Sequence, residues 1–144
     1  MNHFLLNFTF IALFFAQTYA HAPIFDYAKI NAWCDFIKLS KTELTLFQSY
    51  LKDGKELAEH CIHDRYFVDS PQGKSLQKNM DQLVHEFLKI AQLKVAFQYL
   101  VVLVREELSQ NIHEQNKDKV KRNYRLLAMI FDACLNCVQE KISQ

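Results

Sequence analysis

Glycine and proline are nearly missing from this chain: its 144 residues hold two of each, Gly54, Gly73, Pro23 and Pro71. They fall at the edges of long periodic stretches, so their scarcity reads as helical punctuation. It also counts against a lipid or odorant carrier, whose cavity is built from glycines, bends and several short helices. No turn signal interrupts "YLVVLV" (residues 99–104), and the helical register continues on both sides, which argues against the strand that its β-branched residues favour.

An excess of charge is missing too. Lys and Arg number 17 against 16 Asp and Glu, a formal net charge of +1. A nucleic-acid partner needs a broad cationic surface, so none is expected. The cluster "KDKVKRNYR" (residues 117–125) is broken by Asp118 and spaced as a solvated helix face, with heparin-like polyanions left as its one candidate partner. Catalytic signatures such as G-x-S-x-G, HExxH and the P-loop do not occur. "CIHDRYF" sets His63 beside Asp64, a pair like the one with which secreted phospholipases A2 activate water. The glycine-rich calcium loop and the further disulfides of that chemistry are absent, so no enzyme is expected.

Hydrophobic runs are short. Residues 1–20, "MNHFLLNFTFIALFFAQTYA", carry an apolar stretch from Phe4 to Phe15, then Thr18 and Ala20 at the −3 and −1 positions that suit signal peptidase. A cleaved secretory signal peptide is expected there, leaving residues 21–144 as one mature domain. That stretch is shorter than the roughly 20 residues that span a bilayer. The run 95–104, bounded by Lys94 and Arg105, is shorter still, so the expected product is extracellular and uninserted.

Three long helices are predicted, giving an all-α fold. The first runs from Asp26, an N-cap, to Asp53, with Gly54 in the left-handed C′ position. Ile30, Trp33, Ile37, Leu44, Phe47 and Leu51 make its apolar stripe, widened by Phe36, Leu46 and Tyr50 and interrupted by Ser40 and Lys41. Residues 55–72 are too many for a tight hairpin, which predicts an overhand crossing and a second helix parallel to the first. The second helix begins between Gly73 and Ser75 and reaches Leu108, with apolar residues around nearly its whole circumference from Ile90 to Val104. Residues 109–119 make a short reversal. The third, antiparallel helix carries Val120, Tyr124, Leu127, Phe131, Cys134, Val138 and Ile142.

Cys34, Cys61, Cys134 and Cys137 are an even set in a chain expected to be exported, which favours disulfides. A redox dithiol sits at a helix N-terminus, where the dipole lowers the thiol pKa, whereas "CLNC" lies near a helix C-terminus. His60, Cys61 and His63 with the C-x-x-C pair would make a zinc set. Structural zinc sites, however, bring two close-spaced ligand pairs of defined pattern, so no metal or other cofactor is expected. Of the three pairings that four cysteines allow, Cys134 to Cys137 closes only a trivial loop. The other two both tie the third helix to the first helix and to the crossing loop, and both stay open.

Three stretches carry a resemblance: "LTLFQSYLKDGKELAEHC" (44–61), "FQYLVVLVREELSQNIHEQNK" (97–117) and "LLAMIFDACLNC" (126–137). Together they resemble the long-chain helical cytokines typified by leukaemia inhibitory factor and oncostatin M. The resemblance implies an up-up-down(-down) bundle, and it implies that Cys34 pairs with Cys134 or Cys137. Only seven residues follow Cys137, leaving no room for that family's helix D, which would supply the partner of Cys61; Cys61 would then take the second cysteine of "CLNC". A form lacking helix D, a divergent three-helix member and a short-chain cytokine whose second stretch is two helices are the three explanations. The function so implied is a secreted, disulfide-stapled ligand that binds cytokine receptor ectodomains through exposed faces of its first and third helices, with weakened or antagonistic signalling if helix D is missing. A non-signalling secreted carrier or host-interaction protein is the alternative. The receptor-contact residues are not legible.

Overall fold

Asp26 begins the first helix as predicted: its carboxylate accepts a hydrogen bond from the Ala28 amide at 2.9 Å. The computed structural model describes residues 25–109 and 119–144; the signal peptide expected in residues 1–20 and all but the ends of the reversal expected at 109–119 lie outside the described residues. The elements are α1 (Tyr27–Phe36), α2 (Lys41–His63), a 3₁₀ turn (Arg65–Asp69), α3 (Pro71–Phe87), α4 (Ala91–Ser109) and α5 (Lys119–Ser143), with no strand among the described residues. The chain is an all-helical bundle carrying one disulfide.

Three long helices become five because two of the predicted ones break. The first breaks at residues 37–40, where Ser40 caps a new helix. Its hydroxyl accepts from the Glu43 amide at 3.2 Å, while the Glu43 carboxylate accepts from the Ser40 amide at 2.8 Å, a reciprocal capping box. Gly54 does not end this helix but sits buried in its middle. A Cβ there would stand 2.9 Å from Cζ of Phe131, so the missing side chain is what lets α2 and α5 approach. The second break falls at Leu88–Ile90, closed by the turn bonds from Lys89 N to Glu86 O and from Ile90 N to Phe87 O.

Contacts fix the helix directions. Phe47 stacks on Phe87 at 5.0 Å while Gly54 faces Met80, so α2 and α3 are antiparallel. The overhand crossing expected between them is instead a one-turn reversal through the 3₁₀ segment. That reversal is tight: Ser70 caps α3 by accepting from the Gly73 amide at 3.0 Å, and a Cβ on Gly73 would collide with the Phe67 carbonyl oxygen. Lys55 pairs with Asp132, and Cys61 lies beside Tyr124, so α2 and α5 are antiparallel as well. On the other side, Lys29 meets Glu107 and Phe36 meets Tyr99, which sets α1 antiparallel to α4.

Aromatic side chains fill the centre. Trp33, Phe47, Tyr50, Phe87 and Phe97 are fully buried, and Tyr50 meets Phe87, Phe97 and Phe131 edge-on at 5.4 to 6.1 Å. The Tyr50 hydroxyl is buried without a hydrogen-bond partner among the described residues, and burial pushes its pKa up. A buried hydroxyl that makes no bond costs its desolvation and returns nothing. Tyr50→Phe is therefore expected to stabilise the chain by about 1 kcal/mol, read as a higher urea midpoint at unchanged slope.

Candidate functional site

Most of α5 is interior. It packs against α1, α2 and α4, and buries Val120, Tyr124, Leu127, Ile130, Cys134 and Val138 among others. The basic cluster is no fully solvated face: Lys119 and Arg122 are buried, burial lowers the Lys119 pKa, and of its described cations only Arg125 is fully exposed. A heparin-like contact thus loses two of the cations it would use. The exposed part of the third predicted helix is a narrow stripe through Arg125, Asn136 and Gln139. Where α2 and α5 meet the surface, two shallow grooves of about 500 and 460 Å³ share Lys55 and Glu59, beside the Lys55–Asp132 ion pair at 2.7 Å. Their rims are charged and solvated.

The cysteines divide differently from the predicted double staple. Cys34 bonds Cys137, tying α1 to the end of α5 across a separation of 103 residues. Cys61 and Cys134 are free and buried, so the second bond is not made. The cause is register: Cys61 sits beside Tyr124, and ten residues of α5 separate Tyr124 from Cys134, about 15 Å of helix. The zinc set is dispersed for the same reason. His60 stacks on Phe67 at 4.3 Å, Cys61 points into the core, and His63 lies on a surface groove. Among the described residues no group of three or more His, Cys, Asp and Glu is placed to hold a metal ion. Asp64 caps the 3₁₀ turn by accepting from the Tyr66 amide at 3.0 Å, so its carboxylate serves the backbone.

Burial pushes the Cys61 thiol up to about 11, with the Tyr124 hydroxyl and the Val68 backbone pulling partly the other way. The Tyr124 hydroxyl stands beside this thiol without completing a hydrogen bond of good geometry. A raised folded-state pKa stabilises the fold below the unfolded value near 9, and that contribution is lost as pH rises to about 11. Urea denaturation between these pH values is expected to show a loss on the order of 2–3 kcal/mol from this group. The Cys61→Ala variant should lack that part of the alkaline loss.

A different face is open and apolar. On α4, Val95, Tyr99 and Val102 are 46%, 38% and 51% exposed, and on α1 Phe36 is 49% exposed with its ring 5.2 Å from that of Tyr99. The opposite side of α4 buries Leu93, Ala96, Phe97, Leu100 and Val104 in the core. That explains the near-complete apolar circumference of this stretch: one side builds the core and the other faces outwards. Between α1 and α4 lies an open groove of about 460 Å³, bordered by Lys29, Val95, Tyr99, Val102, Leu103 and Glu106. Beneath it, Trp33 donates from Nε1 to the Ala96 carbonyl at 3.0 Å, and Lys29 Nζ reaches the buried Glu107 carboxylate at 2.6 Å. That hydrogen bond raises the Lys29 pKa, with burial acting in the opposite direction. The face is thus exposed above and pinned below. Sequence reasoning looked to the first and third helices; α1 belongs to the first, but α4 belongs to the second and was missed, although its circumferential run was the signal.

No described helix is long and apolar enough to cross a membrane. Comparison with known proteins finds no family model, no curated protein and no solved structure that matches this chain.

Proposed function

We propose that this chain is a secreted, cytokine-like ligand that binds cell-surface receptor ectodomains and works by association without chemistry. The observation that carries the reading is the α1/α4 face, where Phe36, Val95, Tyr99 and Val102 remain exposed on a braced pair of helices. Clustered apolar and aromatic exposure of this kind marks a protein-interaction surface, and Tyr is enriched among the residues that dominate binding energy. The Cys34–Cys137 bond supports an oxidising destination. Against a carrier stands the interior: Trp33, Phe47, Tyr50, Phe87 and Phe97 occupy the space that an enclosed ligand would need. The α2–α3 reversal departs from the overhand crossing of the cytokines, so what is proposed is their mode of action and not their topology.

Cells bearing cytokine receptors test the proposal. Saturable binding with phosphorylation of the receptor-associated kinases is the expected result. Saturable binding that never triggers phosphorylation would make the chain a non-signalling binder, and no saturable binding on any receptor-bearing line would reject the reading.

A further inference from the structure

Beside the α1/α4 groove, beyond Gln98 at its edge, the flank of α4 carries free positive charge. Lys94 and Arg105 are exposed, and neither is in an ion pair with another described residue. They are eleven residues apart, which is three helical turns, so they stand on one flank of α4 about 16 Å from each other. The opposite border is α1, where the Lys29 cation is held by Glu107, while Glu106, four residues past Val102 on the same face of α4, sets a carboxylate at one end of the floor. Val95, Tyr99 and Val102 form the floor at the spacing of a single helix face.

We propose that this groove docks an amphipathic α-helix of a partner protein, which lays its apolar stripe on Val95, Tyr99, Val102 and Phe36 and sets carboxylates three turns apart against Lys94 and Arg105. The inference rests on the reading of this face as the binding surface and adds the chemistry of what binds. A floor made by parallel rows of helical side chains accepts the ridges of another helix. Strand addition needs an unpaired sheet edge, and no strand exists among the described residues. A second copy related antiparallel by a two-fold axis fits poorly, because it sets Lys94 of one copy against Arg105 of the other; a parallel two-fold pair sets that flank against the other copy's α1 border, where Lys29 is already paired with Glu107.

The test uses the full secreted chain with its disulfide intact. Two synthetic helical peptides share a leucine stripe and differ only at two flank positions eleven residues apart, Glu in one and Lys in the other. Fluorescence anisotropy is expected to show the Glu peptide binding roughly three- to tenfold more tightly, as two exposed ion pairs allow. The Lys94→Glu/Arg105→Glu double variant should reverse the preference, and Tyr99→Ala should weaken both peptides. The sites are exposed, so circular dichroism should be unchanged in all variants. Equal affinities, a preference that survives charge reversal, or binding of neither peptide would overturn the proposal. So would wild-type self-association, or anionic vesicle binding, that Tyr99→Ala abolishes. If both peptides fail while receptor-bearing cells still capture the chain in a Tyr99-dependent way, the helix is wrong and the ligand reading stands. Peptide docking without cellular capture separates the two the other way.

Discussion

Trp33→Ala is expected to destabilise the protein by about 3–5 kcal/mol, the usual cost of deleting a buried Trp or Phe side chain. Trp33 is fully buried, packs 5.5 Å from the ring of Phe47, and donates to the Ala96 carbonyl across the α1–α4 interface. Alanine removes the packing and the hydrogen bond together and leaves a cavity beside the Phe47 ring. Trp33→Phe keeps most of the apolar volume and should cost less, roughly 1–2 kcal/mol from the lost bond and the smaller ring. Urea denaturation separates the two. The same change reaches the binding face, because Trp33 holds α1 to α4 and so holds Phe36 beside Tyr99. Partner affinity should therefore fall in Trp33→Ala even under conditions where most of the chain is still folded.

Opening the Cys34–Cys137 bond is the second large effect. Its 103-residue separation makes it a long-range closure, and the chain-entropy estimate for a loop of about 100 residues is about 4.7 kcal/mol. Removing native disulfides from small secreted domains costs about 2–5 kcal/mol. Cys34→Ser, or reductant added to the wild type, is expected to fall within that range. Reductant should act just as strongly on a Cys61→Ala/Cys134→Ala variant, because neither thiol takes part in the bond. Peptide mapping of the unreduced chain should recover one cross-linked pair and two free thiols.

How much of this was legible in the residues follows from where each signal lives. The all-helical class, the Asp26 cap and the core positions Trp33, Phe47 and Phe131 depend on local pattern, and the sequence carries them. The Ser40 and Glu43 capping box was equally local and was readable as a helix start. Gly54 misled because a glycine needed for close helix approach looks, in sequence, like one that ends a helix. The break at Leu88–Ile90 has neither glycine nor proline, so no local residue marks it in the sequence; beyond it, α4 places Phe97 against Tyr50 and Phe87. The pairing of Cys34 with one of the "CLNC" cysteines was implied by the cytokine resemblance. That Cys61 is left unpaired depends on the level at which α2 and α5 meet, which periodicity does not encode.

The α1/α4 face was half legible. Apolar residues around nearly the whole circumference of a helix mean two buried sides, or one buried side and one awaiting a partner. Only the placement of α1 and the core decides which. Once Phe97 and Leu100 are known to point inwards, Val95, Tyr99 and Val102 are left facing out.

The most direct test is the affinity of the Phe36→Ala/Tyr99→Ala double variant for receptor-bearing cells, measured beside the wild type with circular dichroism and the disulfide checked in both. Loss of at least about 2 kcal/mol of binding, roughly thirtyfold, with the helical spectrum unchanged is the predicted result. Affinity equal to that of the wild type would contradict it.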